Sequence, residues 1–141
     1  MDRGLPGATS GAVVEFGLVR RALLSRLAAG QIGRDEVCDA HPELLRAARH
    51  LGRDRGERCP VCAEADLVEV TYVFGPRLPP GGACPTSRAE LDRLQRRAEP
   101  VQCYAVEVCV ACHFHHLARR WSAGGRARRT TSRGERRKVG E

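Results

Sequence analysis

Lysine is nearly absent from this chain: Lys138 stands alone among 24 basic side chains. That ratio, together with 15 glycines and many alanines, suggests a GC-rich genome. Arginine enrichment by itself is therefore no argument for phosphate contacts. Long apolar runs are absent too. No segment approaches the roughly 20 apolar residues of a membrane span. An export signal is not expected, because Val13-Val14 is followed at once by Glu15 and Arg20-Arg21 interrupts the next apolar run. Also missing are a Ser/His/Asp triad, a phosphate-cradling glycine loop and a facing pair of carboxylates. No enzymatic activity and no small-molecule substrate are expected.

The charge that is present is unevenly placed. From Arg119 to the end there are eight Arg, one Lys and two Glu, which carries the whole net charge of +7. The preceding 118 residues are balanced, with 15 basic and 15 acidic side chains. The folded part is thus not a strongly basic surface on average.

Seven cysteines, an odd number, in a chain without export features fit a reducing cytoplasm and metal ligation better than disulfides. Four of them form two C-x-x-C pairs, Cys59-Pro60-Val61-Cys62 and Cys109-Val110-Ala111-Cys112. Thiolates are soft ligands, and zinc accepts four of them in a tetrahedron without ligand-field preference. The two-residue spacer lets the backbone wrap a tight knuckle, so both sulfurs of a pair face one ion. One such pair is a weak signal, since redox motifs share it; two in a short chain are strong. Cys59, Cys62, Cys109 and Cys112 are the expected zinc ligands. Four sulfurs leave the metal no open position for water, which argues against a catalytic ion.

The intervening sequence explains how the pairs meet. In Leu67 to Phe74, residues Val68, Val70, Tyr72 and Phe74 share one face of an alternating strand; in Gln102 to Val108, Tyr104, Val106 and Val108 do. Run antiparallel, these strands bring both knuckles to one end of a hairpin. Val14 to Ala29 reads as a helix with Val14, Leu18, Ala22, Leu23 and Leu27 inward and Arg20, Arg21 and Arg26 outside, stopped by Gly30. Asp35 to Cys38 is a short helical turn. Pro42 sits at the first position of a helix over 41–51, with Leu44, Leu45, Ala48 and Leu51 inward. Asp54 to Arg58 reads as a charged connector and Gly75 to Cys84 as a Pro/Gly loop. Ser87-Arg88-Ala89-Glu90 is a capping box that opens a helix to about Ala98. His113 to Trp121 is either a strand completing a zinc ribbon or a helix making a treble clef; the alternation of His115, Leu117 and Trp121 favours the strand.

Lesser motifs are weighed against plainer roles. Cys109-Val110-Ala111-Cys112-His113 matches a haem-attachment pattern, but that chemistry needs an exported context. Cys59-Pro60-Val61-Cys62 precedes a strand, where a thioredoxin-type site wants a helix N-terminus. His41 and His50 read as cap or surface residues. His113, His115 and His116 could support or replace a ligand, against a polar face as the plainer reading. Cys38 and Cys103 read as small apolar fillers and Cys84 as an incidental thiol. Trp121 could stack on a base, with core packing the stronger role. The candidate set for nucleic-acid contact is Arg119, Arg120, Trp121, Arg126, Arg128, Arg129, Arg133, Arg136, Arg137 and Lys138.

Glu36 to Ala48, Cys59-Pro60-Val61-Cys62, Tyr72-Val73-Phe74-Gly75 and Val106-Glu107-Val108-Cys109 with Cys112 and His116-Leu117 resemble a small actinobacterial family, domain of unknown function 5318. The resemblance covers roughly Val14 to Trp121 and implies a cytoplasmic actinobacterial protein; it brings no established activity. The expected architecture is a small α+β domain over 13–121, between a disordered 1–12 and a disordered arginine-rich 122–141. Two N-terminal helices pack on a zinc-bound hairpin, ribbon-like or treble-clef-like, that carries an inserted helix. The expected function is a non-enzymatic zinc-binding module contacting RNA or DNA, RNA polymerase or the ribosome. The alternatives are a protein–protein adaptor with a structural zinc and a thiol or zinc redox sensor.

Overall fold

A computed structural model describes residues 12–125. The chain is α+β, with elements in the order β1 (Val14–Glu15), α1 (Gly17–Ala28), α2 (Arg34–Val37), α3 (Pro42–Leu51), β2 (Arg53–Arg58), β3 (Asp66–Phe74), α4 (Arg88–Gln95), β4 (Pro100–Val108) and β5 (His115–Gly124). The strands form one five-stranded antiparallel sheet in the order β1-β5-β4-β3-β2. Two compact units are distinguished: Val14–Thr71 with Tyr104–Arg120, and, among the described residues, 12–13 and Tyr72–Cys103 with 121–125.

In the first unit the N-terminal helix starts later than its pattern suggests. Val14 and Glu15 pair with Arg120 and Arg119 of β5, and the Phe16 N–H donates to the Ala118 carbonyl at 3.0 Å. These backbone bonds hold the chain extended until Gly17. The inward side of α1 shifts accordingly. Leu23, Leu24 and Leu27 pack on the core, while Leu18 is 75% exposed and Val19 57% exposed. Arg20, one turn before Leu23 and Leu24, points inward.

Pro42 opens α3 as expected, and the Glu43 N–H donates to His41 Nδ1 at 3.0 Å, so His41 is its cap. Gly52 ends the helix, where a Cβ would meet the Ala48 carbonyl oxygen at 2.4 Å. The segment expected as a charged connector is instead strand β2, paired with β3 through Arg53–Glu69, Asp54–Val68 and Arg58–Asp66. A bulge separates the last two pairs. Gly56 supplies it with φ +73°, and its N–H donates to Asp54 Oδ1 at 2.8 Å.

The core of this unit is Val37, Cys59, Leu67, Cys109 and Phe114. In β4, Ala105, Glu107 and Val108 are fully buried, whereas Tyr104 and Val106 are half-buried, so the face opposite Tyr104 and Val106 is the more covered one and Val108 is buried as well. In β3, Leu67 and Val70 are both buried, so each face of that strand has cover.

In the second unit the loop after β3 folds back as an irregular arm: Val73 and Ala83 exchange two backbone hydrogen bonds of 2.8 Å. Ser87 caps α4 by accepting from the Glu90 N–H at 3.1 Å. The Glu90 carboxylate closes the box on Thr86 rather than Ser87, accepting from the Thr86 N–H at 2.7 Å. The helix ends at Gln95, short of Ala98. Its last residue is buried and accepts a 2.7 Å hydrogen bond from the Trp121 indole. Strand β5 runs on through Ser122, Ala123 and Gly124, beyond the expected end of the domain at Trp121. Ser122 holds its place by accepting from the Gln102 amide at 2.9 Å. The segments 1–11 and 126–141, expected to be disordered, lie outside the described residues.

Candidate metal centre

The two C-x-x-C pairs build matching turns. In the first, the Ala63 N–H donates to the Cys59 carbonyl at 3.0 Å and the Cys59 N–H to the Ala65 carbonyl at 2.8 Å. In the second, the His113 N–H donates to the Cys109 carbonyl at 2.9 Å and the Cys109 N–H to the Phe114 carbonyl at 2.8 Å. The residue after each second cysteine is left-handed: Ala63 with φ 59° and His113 with φ 74°. Backbone N–H groups also point at sulfur, from Val61 and Cys112 at 3.4 Å onto Cys59 and Cys109, and from Glu64 at 3.3 Å onto Cys62. Each turn is a cup of donors around its sulfurs, the environment a bound thiolate needs.

The turns bring their sulfurs to one point. Cys59, Cys62, Cys109 and Cys112 Sγ atoms all lie within 4.8 Å of one another. Cys59–Cys112 is 3.8 Å and Cys62–Cys109 is 3.6 Å. A tetrahedron with metal–sulfur bonds of about 2.3 Å has sulfur–sulfur edges of about 3.8 Å. The four sulfurs could therefore hold a metal ion with little movement. Cys59 and Cys109 are buried, and Leu23, Leu24 and Leu27 of α1 pack on the cluster they belong to.

In the metal-free protein, burial pushes the Cys59 and Cys112 thiols above their ordinary value. Burial also acts on Cys62, but the Glu64 N–H and the neighbouring thiols outweigh it and lower that thiol. Raised thiols hold protons near neutrality, so metal capture has to expel them.

The remaining cysteines and histidines separate clearly. Cys38, read as a filler, has its thiol 3.6 Å from Cys112 Sγ and donates to it. Cys103 is fully buried, and burial raises its thiol to about 12, the state of an inert packing residue. Burial also raises Cys84, which is half-buried. His115 Nε2 lies 2.9 Å from Asp39 Oδ1, and His116, whose pKa burial lowers, sits 3.7 Å from Glu107. Among the described residues the group that could hold a metal ion is the four cysteines, without a histidine.

The sequence reading missed a buried ion network. Glu107 is fully buried, and Arg20 reaches it through Nε at 2.6 Å and Nη2 at 3.1 Å. Arg20 also donates to Glu57 at 2.9 Å. Glu69 accepts from Arg55 at 2.6 Å and from Arg119 at 2.8 Å. The available signal was Glu107 itself, a carboxylate at a regular position of an otherwise apolar strand.

Of the residues expected to touch nucleic acid, Arg119 is held by Glu69 and Arg120 is exposed. Trp121 is 3% exposed with its N–H on Gln95, which makes it a core residue and corrects its reading as a stacking surface. Arg126, Arg128, Arg129, Arg133, Arg136, Arg137 and Lys138 lie outside the described residues.

A family model described as "Family of unknown function (DUF5318)" matches residues 8–138. Uncharacterized protein Rv0049 of Mycobacterium tuberculosis (strain ATCC 25618 / H37Rv) is 36% identical over 111 residues, 79% of this chain and 81% of its own. Uncharacterized protein Mb0050 of Mycobacterium bovis is similar to the same extent, 36% over 111 residues with the same coverage. No solved structure matches.

Proposed function

The chain belongs to the family of unknown function DUF5318, and on that footing we propose that it is a non-enzymatic module organised by a structural zinc ion on Cys59, Cys62, Cys109 and Cys112. The observation that carries this reading is the gathering of the four sulfurs within 4.8 Å of one another, with two of the distances at 3.8 and 3.6 Å. Zinc is the metal best suited to four thiolates in a closed shell. With β3, β4 and β5 around two knuckles, the arrangement is ribbon-like. All four positions would be filled by sulfur, leaving no site for a bound water or substrate. The reduced thiols this requires fit a cytoplasmic protein. No helix of the described residues is long and apolar enough to cross a membrane.

The proposed partner is nucleic acid or a machine built on it, such as RNA polymerase or the ribosome. The support is electrostatic: the whole net charge of +7 lies from Arg119 onward. Each phosphate neutralised contributes about 0.7–0.9 to the slope of log affinity against log salt. Deleting 126–141 removes seven basic groups, so full-length protein should bind RNA or DNA with a salt slope that the truncated protein lacks. Equal binding by both proteins, or none by either at low salt, would refute it. A protein adaptor is the second reading, favoured by the exposed Leu18 and Val19 on α1. Nuclease-resistant co-purification of one protein partner, abolished by Leu18→Ser and Val19→Ser, would decide for it.

A further inference from the structure

The centre has a fifth sulfur outside the tetrahedron. Cys38 caps the C-terminal end of α2, and its Sγ lies 3.6 Å from Cys112 Sγ, 74 positions along the chain. Backbone bonds fix this meeting. The Cys38 N–H donates to the Arg34 carbonyl at 2.8 Å, and the Ala40 N–H donates to the His113 carbonyl at 3.1 Å. The segment carrying Cys38 is thus tied to the second knuckle immediately after Cys112. Cys38, Cys62 and Cys112 are half-buried, in contrast to Cys59 and Cys109, so Cys38 and Cys112 lie with Cys62 on the more accessible side of the cluster. A space-filling cysteine needs none of this.

We propose that Cys38 and Cys112 are a redox pair, a reversible disulfide site that couples attack by a hydroperoxide to release of the metal; the release half rests on the zinc reading above. The Cys112 sulfur attacks the distal oxygen of the hydroperoxide, the O–O bond breaks, and an alcohol or water leaves. The product is a sulfenic acid, which condenses with a nearby thiol. Cys38 then attacks the Cys112 sulfur, forming the S–S bond and expelling the hydroxyl as water. In sum, two thiols and one hydroperoxide give one disulfide, one alcohol (or water) and one water. The two electrons lost by sulfur reduce the O–O bond. Closing 3.6 Å to a bond of about 2.05 Å is a movement that side-chain rotation can supply. Only three zinc ligands then remain, and the ion is lost. A dithiol reductant reverses the step by exchange.

In the reduced, loaded state Cys38 has a quieter role. It donates its S–H to Cys112 and takes no place in the tetrahedron, so removing it should leave the metal in place.

The test uses full-length reduced protein, with metal content measured first. It is then treated with hydrogen peroxide while a chromophoric chelator follows zinc release. Disulfides are mapped by non-reducing peptide mass spectrometry. Wild type should release its zinc, show the Cys38–Cys112 disulfide and regain zinc after dithiothreitol. Cys38→Ser should start with full zinc, release it at least tenfold more slowly and, once oxidised, carry sulfinic acid at Cys112 that dithiothreitol does not reverse. Cys38→Ala repeats the measurement if the serine variant folds poorly, and Cys84→Ser should behave as wild type. Release from the Cys38 variants as fast and as reversible as from wild type would overturn the proposal. So would disulfides confined to the two C-x-x-C pairs, or loss of zinc on substitution of Cys38 alone, which would make it a ligand. A protein that carries no zinc overturns the zinc reading instead, and disulfide mapping of that metal-free chain still decides whether Cys38 and Cys112 pair.

Discussion

Arg20→Met should cost far more than a surface arginine, and the network around Glu107 sets the scale. Glu107 is fully buried and takes its two short hydrogen bonds from Arg20, at 2.6 and 3.1 Å. Its other basic neighbours are farther: Arg55 Nε at 3.8 Å and His116 Nδ1 at 3.7 Å. Removing one partner of a buried pair typically costs about 3–5 kcal/mol, because the other charge stays desolvated. Arg20→Met belongs at the upper end, since its side chain is only 23% exposed and Glu107 has no solvent to turn to. Glu107→Leu belongs nearer 3 kcal/mol, because Arg20 keeps Glu57 at 2.9 Å. Replacing both removes both charges, so the double variant should lie within about 1.5 kcal/mol of wild type. At roughly 4 °C per kcal/mol for a chain of this size, the single variants should melt about 12–20 °C lower. Urea unfolding of the reduced protein at fixed free zinc measures all three, which keeps ligand linkage constant. Single variants that cost under about 1 kcal/mol, or a double variant that costs the sum of the singles, would refute the reasoning.

Ala63 has φ 59°, a conformation that costs an L-residue about 1–2 kcal/mol and glycine little. Set against glycine's larger entropy loss, Ala63→Gly should stabilise by up to about 1 kcal/mol in the same assay. Trp121→Phe removes the indole donor that Gln95 Oε1 accepts at 2.7 Å in a buried site, and should destabilise by about 1–3 kcal/mol. Zinc affinity should fall as pH drops, because the thiols that burial raises, Cys59 and Cys112, are protonated in the metal-free fold and compete with the ion. Competition titrations against a chelator of known affinity across pH 6 to 8 would show it, and a flat profile would contradict the protonated state.

The four-cysteine cluster was legible because C-x-x-C spacing dictates a local turn. Once two such turns flank antiparallel strands, the geometry has few alternatives. The helix from Pro42 to Leu51 and the start of α4 were legible for a similar reason, through the His41-Pro42 entry and the Ser87 cap. What escaped depends on partners distant in sequence. Arg53 to Arg58 has no strand pattern of its own; it is extended because β3 supplies its hydrogen bonds, with Gly56 absorbing the misregister. Arg20 reads as a surface residue until Glu107, 87 positions away, is placed opposite it. Alternation identifies the two faces of β4 without saying which is covered, and the burial of Ala105 and Glu107 follows from what packs on them. Cys38 has no spacing partner, since its contact with Cys112 crosses 74 positions. Trp121 drew a stacking reading from its place beside the arginines, but its core role, the stronger reading from sequence, is the one its bond to Gln95 supports.

The central claim is that Cys59, Cys62, Cys109 and Cys112 hold one structural zinc. Zinc K-edge X-ray absorption on the reduced, full-length protein, paired with elemental analysis, tests it most directly. The account predicts about one zinc per chain with a shell of four sulfurs at about 2.3 Å and no nitrogen scatterer. A folded, reduced protein without stoichiometric zinc, or a shell containing a histidine nitrogen, would contradict it.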